Sequence, residues 1–155
     1  MSTVYLETTV LSYLTARPSR DLVVAGHQQI TREWWETRRS SFEVYISQLV
    51  VQEAQQGDPE AAKRRLVVID ALPLLEVTAA AALARALVDR GVIAKKSAAD
   101  ALHISIAAVH GIQYLLTWNM AHIANAELRP RIERVCRSEG FEPPVLCTAE
   151  ELMGD

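Results

Sequence analysis

Three acidic residues stand where a charge is costly. Glu7 ends the apolar run Thr3-Val4-Tyr5-Leu6, Glu53 lies just past Leu49-Val50-Val51, and Asp100 opens Ala101-Leu102-His103-Ile104-Ser105-Ile106-Ala107. A carboxylate among apolar neighbours is expensive to desolvate unless it is paired or binds a cation. The three are far apart in sequence and each sits at the edge of an element. That pattern suggests one shared cation site and metal-dependent chemistry on phosphodiesters. Each residue also has a plainer reading. Glu7 suits a helix N-terminus, Glu53 a solvated helix face, and Asp100 a capping box, Ser97-Ala98-Ala99-Asp100, with Asp in place of Glu. The combination is more specific than its parts. His103 lies one helical turn from Asp100, so both can face the same cleft.

Alternating strands and helices would position these residues. Residues 3–6 read as a buried strand, and Thr8-Thr9 offers hydroxyl caps for a helix through Leu14. Val23, His27, Ile30 and Trp34 recur on one face of a helix from Asp21 to about Arg39, with Val24 and Trp35 beside it. A strand follows over 43–46. Ser47 caps a helix through Glu53 that ends at Gly57, and Asp58-Pro59-Glu60 starts another that Pro73 stops. A weaker strand is expected over 74–77, then helices starting at Thr78 and Ser97. Residues 114–117 read as a strand, with helices around 121–126 and 129–138, a short strand over 145–147, and a capping box of Thr148 with Glu151. The expected fold is a single α/β domain over 1–155: a three-layer α/β/α sandwich on a mainly parallel sheet. In such sheets ligands bind beyond the carboxyl ends of the strands, which draws attention to Glu7, Ser47 and Thr117.

Composition narrows the function. The chain has 155 residues, half of them hydrophobic, with 6 Gly and 6 Pro, so it can bury a proper core. No apolar stretch reaches membrane-spanning length and no signal-peptide pattern opens the chain, so a cytoplasmic location is expected. Cys136 and Cys147 have neither metal-finger nor disulfide spacing and read as ordinary thiols. A net charge of -3 and a pI near 5.8 count against a dedicated nucleic-acid binder. A nuclease remains open, because local basic groups can hold phosphates. The candidates are Arg17 and Arg20, Arg38-Arg39, Lys63-Arg64-Arg65, Lys95-Lys96, and Arg129 with Arg131 and Arg134. No Gly-rich phosphate loop is present. A phospho-aspartyl hydrolase would want an Asp nucleophile directly after the first strand, where this chain has Glu7.

The acidic positions and the polar Thr117-Trp118-Asn119 after a late strand follow the layout of the PIN-domain ribonucleases. The chain resembles that family over nearly its whole length, most closely the VapC-type toxins of toxin–antitoxin pairs. The segments that carry the likeness are 5–14, YLETTVLSYL; 47–53, SQLVVQE; 99–107, ADALHISIA; and 115–126, LLTWNMAHIANA. The resemblance implies a metal-dependent endoribonuclease using Mg²⁺ or Mn²⁺, which oxygen ligands suit. Glu7, Glu53 and Asp100 take the acidic roles and Asn119 the position of a fourth acid. Thr9 is a hydrogen-bond partner for Glu7 or a metal-bound water, and Thr117 for a ligand or phosphate. RNA as substrate and a cognate antitoxin as partner come with the family. So does a homodimer, which the aromatic stripe over 21–39 also suggests. Two departures stand out: the family's usual first acid is Asp, here Glu7, and its usual fourth is Asp, here Asn119. They support an alternative reading, a PIN fold that binds RNA or a protein but cuts weakly. Like charges disfavour joint ionisation, so at least one of the three carboxyls is expected to hold its proton unusually tightly without metal.

Overall fold

Short apolar runs, most with β-branched or aromatic residues, become five strands: β1 (Ser2–Leu6), β2 (Phe42–Ser47), β3 (Leu74–Leu75), β4 (Tyr114–Leu116) and β5 (Val145–Cys147). In this computed structural model, which describes residues 1–154, they form one all-parallel sheet in the order β3-β2-β1-β4-β5. The helices are α1 (Thr8–Thr15), α2 (Leu22–Thr37), α3 (Gln48–Ala54), α4 (Pro59–Ile69), α5 (Ala81–Asp89), α6 (Ala98–Val109) and α7 (Arg129–Ser138). Helix α1 contacts α2, α3 and α4, whereas α5 contacts α6 and α7. The result is a three-layer α/β/α sandwich. Among the described residues no helix is long and apolar enough to cross a membrane.

The strand order reverses at the centre. From β1 the chain steps outward through β2 and β3, then returns to the other side of β1 for β4 and β5. The crevice between the carboxyl ends of β1 and β4 is therefore the topological switch point, where open parallel sheets bind ligands. Leu6 pairs with Leu116, and the Glu7 N–H donates to the Leu116 carbonyl at 3.0 Å. Glu7 and Thr117 thus leave the sheet side by side.

The α2 stripe packs mostly inside the chain. Trp34 is fully buried and stacks near Phe42 with ring centroids 5.8 Å apart, while His27 stacks on Trp118 at 4.1 Å. Ile30 and Trp35 pack against the core, and the Arg39 guanidinium covers the Trp35 ring at 4.3 Å. Val23 remains 67% exposed, and the buried face also includes Gln28 and Thr31.

Several local expectations are corrected. Residues 121–126 form turns rather than a helix. The Asn119 side chain accepts from the His122 N–H and the Asn125 side chain accepts from Glu127 and Leu128, so asparagine oxygens replace helical carbonyls there. β3 stops at Leu75 instead of residue 77, because the Glu76 carboxylate takes the backbone N–H groups of Thr78 and Ala79 and turns the chain out of the sheet. Ser97 makes no side-chain cap. Helix α1 is capped by Glu7, whose carboxylate accepts from the Thr9 N–H, rather than by a threonine hydroxyl. The Thr148–Glu151 capping box is present, and Ser47 and Asp58 cap α3 and α4.

Candidate metal centre

Glu7 is 4% exposed at the end of β1. Its Oε1 accepts the hydroxyls of Thr9 and Thr117, both at 2.6 Å, and Oε2 accepts the Thr9 N–H at 3.2 Å. Thr117 also accepts the Asn119 N–H at 2.9 Å, and Thr9 accepts the Trp118 N–H at 2.8 Å. The two threonines therefore lock the strand-end segment 117–119 to the start of α1 through Glu7. Trp118 strengthens this joint. Its indole N–H donates to buried Thr31 on α2 at 2.7 Å.

Glu53 reaches the same crevice from α3. Its Oε1 accepts the Thr8 hydroxyl at 2.5 Å and the His103 Nε2–H at 2.7 Å. One oxygen each of Glu7 and Glu53 and one ring nitrogen of His103 lie within 4.8 Å of one another. His103 itself is poorly suited to ligate a cation. A carboxylate only accepts, so Nε2 must carry the proton of that bond, and a protonated nitrogen has no lone pair for a metal. The other ring nitrogen faces the Tyr5 hydroxyl at 2.7 Å.

Asp100, in the first turn of α6, lies outside the Glu7–Glu53–His103 cluster but near enough for the Glu7 and Glu53 charges to act on its carboxyl. Its Oδ1 accepts the Asn119 amide Nδ2–H at 3.0 Å. The amide orientation follows from both its partners. Reversal would set the carbonyl against the Asp100 carboxylate and the NH₂ against the His122 N–H. Asn119 thus presents its nitrogen to Asp100, and its carbonyl is held by His122. Its visible contribution is a tie between β4's end and α6.

The three carboxylates share one pattern. Each is anchored mainly through one oxygen, Glu7 by two hydroxyls, Glu53 by a hydroxyl and an imidazole, and Asp100 by an amide. Oε2 of Glu53 and Oδ2 of Asp100 accept no hydrogen bond among the described residues. The salt bridges of the described residues bring no Lys or Arg to any of the three. Hard oxygens and net negative charge, with His103 on Glu53 but no Lys or Arg among the described residues paired with the three, make a donor set that fits Mg²⁺ or Mn²⁺.

The titration behaviour reflects this crowding. Burial and then the Glu7 charge push the Asp100 carboxyl above its usual range, against the pull of His122 and His103. At Glu53 burial opposes ionisation, but the His103 hydrogen bond and charge, with the Thr8 hydroxyl, outweigh it and hold the carboxyl below its usual range. A depressed carboxylate contributes stability above its unfolded pKa and loses it as pH falls through its folded pKa. In metal-free protein the unfolding free energy of wild type should therefore fall relative to Glu53→Gln on acidification from about pH 5. Urea unfolding across that range measures it, and a flat difference would show that Glu53 is not held ionised by its neighbours.

The basic candidates divide. Arg64 donates to the Thr15 carbonyl, and Arg65 donates to Ala54 and Gln56, so both cap helix C-termini. Arg38 donates to Leu152, and Arg131 to Gly91. Arg17, Arg20, Lys95 and Lys96 are exposed, and the last two lie in the 3₁₀ turn immediately before α6 and Asp100. Of three residues now central, Tyr5 and Thr8 carry only a packing and a capping signal in the sequence, whereas Ser47 stands out as a strand end as well as a cap. One signal for Tyr5 was present, since residues 5 and 7 point to the same face of an extended strand. His122, whose charge reaches Asp100, carried no distinguishing signal.

No protein-family model matches the sequence, and no curated protein matches it either.

Proposed function

We propose that this chain is a Mg²⁺- or Mn²⁺-dependent endoribonuclease. The observation that supports it is the approach of Glu7 and Glu53 to within 4.8 Å at the switch point, with Asp100 near enough to feel both charges and, among the described residues, no Lys or Arg paired with any of the three. In this reading Glu7, Glu53 and Asp100 hold the cation, which supplies charge stabilisation and a more acidic water for attack on a phosphodiester. Thr9 and Thr117 orient Glu7, Thr8 and His103 orient Glu53, and Asn119 orients Asp100. Lys95 and Lys96, exposed in the 3₁₀ turn that leads into α6, would meet substrate phosphates and raise the local concentration of RNA.

The resemblance to PIN-domain toxins extends the reading to a cytoplasmic toxin with a cognate antitoxin and to a homodimer. Because Trp34 is buried within the chain, the apolar residues of α2 left for such an interface are Leu22 and Val23, 88% and 67% exposed. The test of the activity is cleavage of structured RNA by purified protein. Cleavage is expected with Mn²⁺ or Mg²⁺ and absent with a chelator. Cleavage that persists under chelation would remove the cation from the account.

A further inference from the structure

Behind Glu53 runs a buried polar chain. Ser47 at the end of β2 contacts the Tyr5 hydroxyl at 2.8 Å, Tyr5 contacts His103 Nδ1 at 2.7 Å, and His103 Nε2–H donates to Glu53 Oε1 at 2.7 Å. Ser47 and Tyr5 are fully buried and His103 is 1% exposed. The register explains the first link. Tyr5 pairs with Tyr45, so Ser47 lies two residues further toward the carboxyl end on the same face, within diagonal reach. A core of this kind needs no hydroxyls or imidazole to fill space, and buried polar groups cost free energy unless every member is satisfied. This chain is satisfied from end to end and terminates on a carboxylate at the candidate site.

We propose that Ser47, Tyr5 and His103 are positioning residues that hold Glu53 as a one-oxygen ligand, and thereby set the site's preference for Mg²⁺ or Mn²⁺ over Ca²⁺. The inference rests on the cation-site reading above. Oε1 of Glu53 already receives two donors from two different helices, Thr8 on α1 and His103 on α6. It cannot also approach a cation on equal terms with Oε2. Calcium accommodates more ligands and commonly takes carboxylates through both oxygens, whereas magnesium demands a compact octahedron. Pinning Oε1 therefore disfavours calcium. The His103 ring cannot turn away to release Oε1, because Tyr5 holds its far nitrogen and Ser47 holds Tyr5. Partners of this type behind a ligand orient it and tune the metal.

The test is calorimetric titration of metal-free protein with Mn²⁺ and, separately, Ca²⁺, for wild type, His103→Leu, His103→Gln and Tyr5→Phe, with circular dichroism to establish folding. His103→Leu should lose about 10- to 100-fold in Mn²⁺ affinity, the usual effect of removing such a partner, with Ca²⁺ affinity held or increased. His103→Gln, whose amide can place an N–H near the Nε2 position, should stay close to wild type. Tyr5→Phe removes one oxygen and almost no volume. It should shift the Mn²⁺-to-Ca²⁺ ratio in the same direction by a smaller factor, and it carries the test if His103→Leu does not fold. Its RNA cleavage should recover at high Mn²⁺ concentration. A ratio unchanged from wild type in the folded variants, with wild-type Mn²⁺ binding intact, would overturn the proposal alone. Absence of Mn²⁺ binding by wild type would overturn the cation-site reading and the proposal with it.

Discussion

Asp100→Asn should lower cation-dependent RNA cleavage by at least about 100-fold, since even partners behind a metal ligand are commonly worth 10- to 100-fold. The same change should raise the melting temperature of the metal-free protein. The first effect follows from the loss of one of three charges in the acidic face. The second follows from the titration of the group. Burial and the Glu7 charge raise the Asp100 carboxyl above its usual range. A carboxyl with a raised folded pKa binds its proton more tightly folded than unfolded, so at neutral pH its ionised form opposes folding. That penalty disappears with the charge, while the new amide's carbonyl can still accept from Asn119. Opposite signs for activity and stability distinguish a functional carboxylate from a structural one, whose loss would lower both. The variant also separates a nuclease from a weak-cutting RNA-binding module. In the latter, RNA affinity stays intact or improves as repulsion of phosphates is relieved, with no cleavage to lose. Cleavage by Asp100→Asn at the wild-type rate would reduce Asp100 to a residue of the α6 first turn.

Asn119→Asp should move both quantities the other way. The amide Nδ2–H now satisfies Asp100 Oδ1 at 3.0 Å. Replacing it with a carboxylate removes that donor and faces two anions across the same gap, so the metal-free protein should melt lower. A fourth negative charge beside a divalent cation should raise its affinity about tenfold, the size of one unit-charge interaction over several ångströms at an intermediate effective dielectric. Thermal unfolding with and without Mn²⁺ reads both effects, because a ligand that binds only the folded state stabilises in proportion to the logarithm of its relative concentration. The Mn²⁺-dependent rise in melting temperature should be larger in the variant than in wild type. An unchanged rise would mean that position 119 does not sense the cation.

The elements legible in the sequence were those with a strong local signal. Short apolar runs, β-branched or aromatic in part, marked β1, β2, β4 and β5, and side-chain caps at Ser47, Asp58 and Thr148 marked helix starts correctly. Residues 121–126 misled because Ala121, Ile123 and Ala124 have helical composition, while Asn119 and Asn125 redirect the backbone N–H groups into turns. Ser97 misled because the helix it seemed to cap is entered through a 3₁₀ turn at 95–97. At the candidate site, Glu7, Glu53 and Asp100 could be found from their apolar flanks, and His103 from its helical spacing to Asp100. The anchoring of those acids was not legible. The Thr8–Glu53 bond spans 45 residues, Tyr5–His103 spans 98 and Thr117–Glu7 spans 110. Such pairings depend on strand order and register, which no local pattern encodes. The direction of the Asn119 amide was hidden for the same reason, since it is set by Asp100 on one side and His122 on the other.

The most direct measurement is a titration of Mn²⁺ into metal-free wild-type protein with structured RNA present, following cation binding and RNA cleavage in the same series. Cleavage should be absent before metal is added, rise in parallel with occupancy of the site, and be reversed by chelation. Binding without cleavage would contradict the nuclease reading while leaving a cation site, and cleavage without binding would contradict the role assigned to Glu7, Glu53 and Asp100.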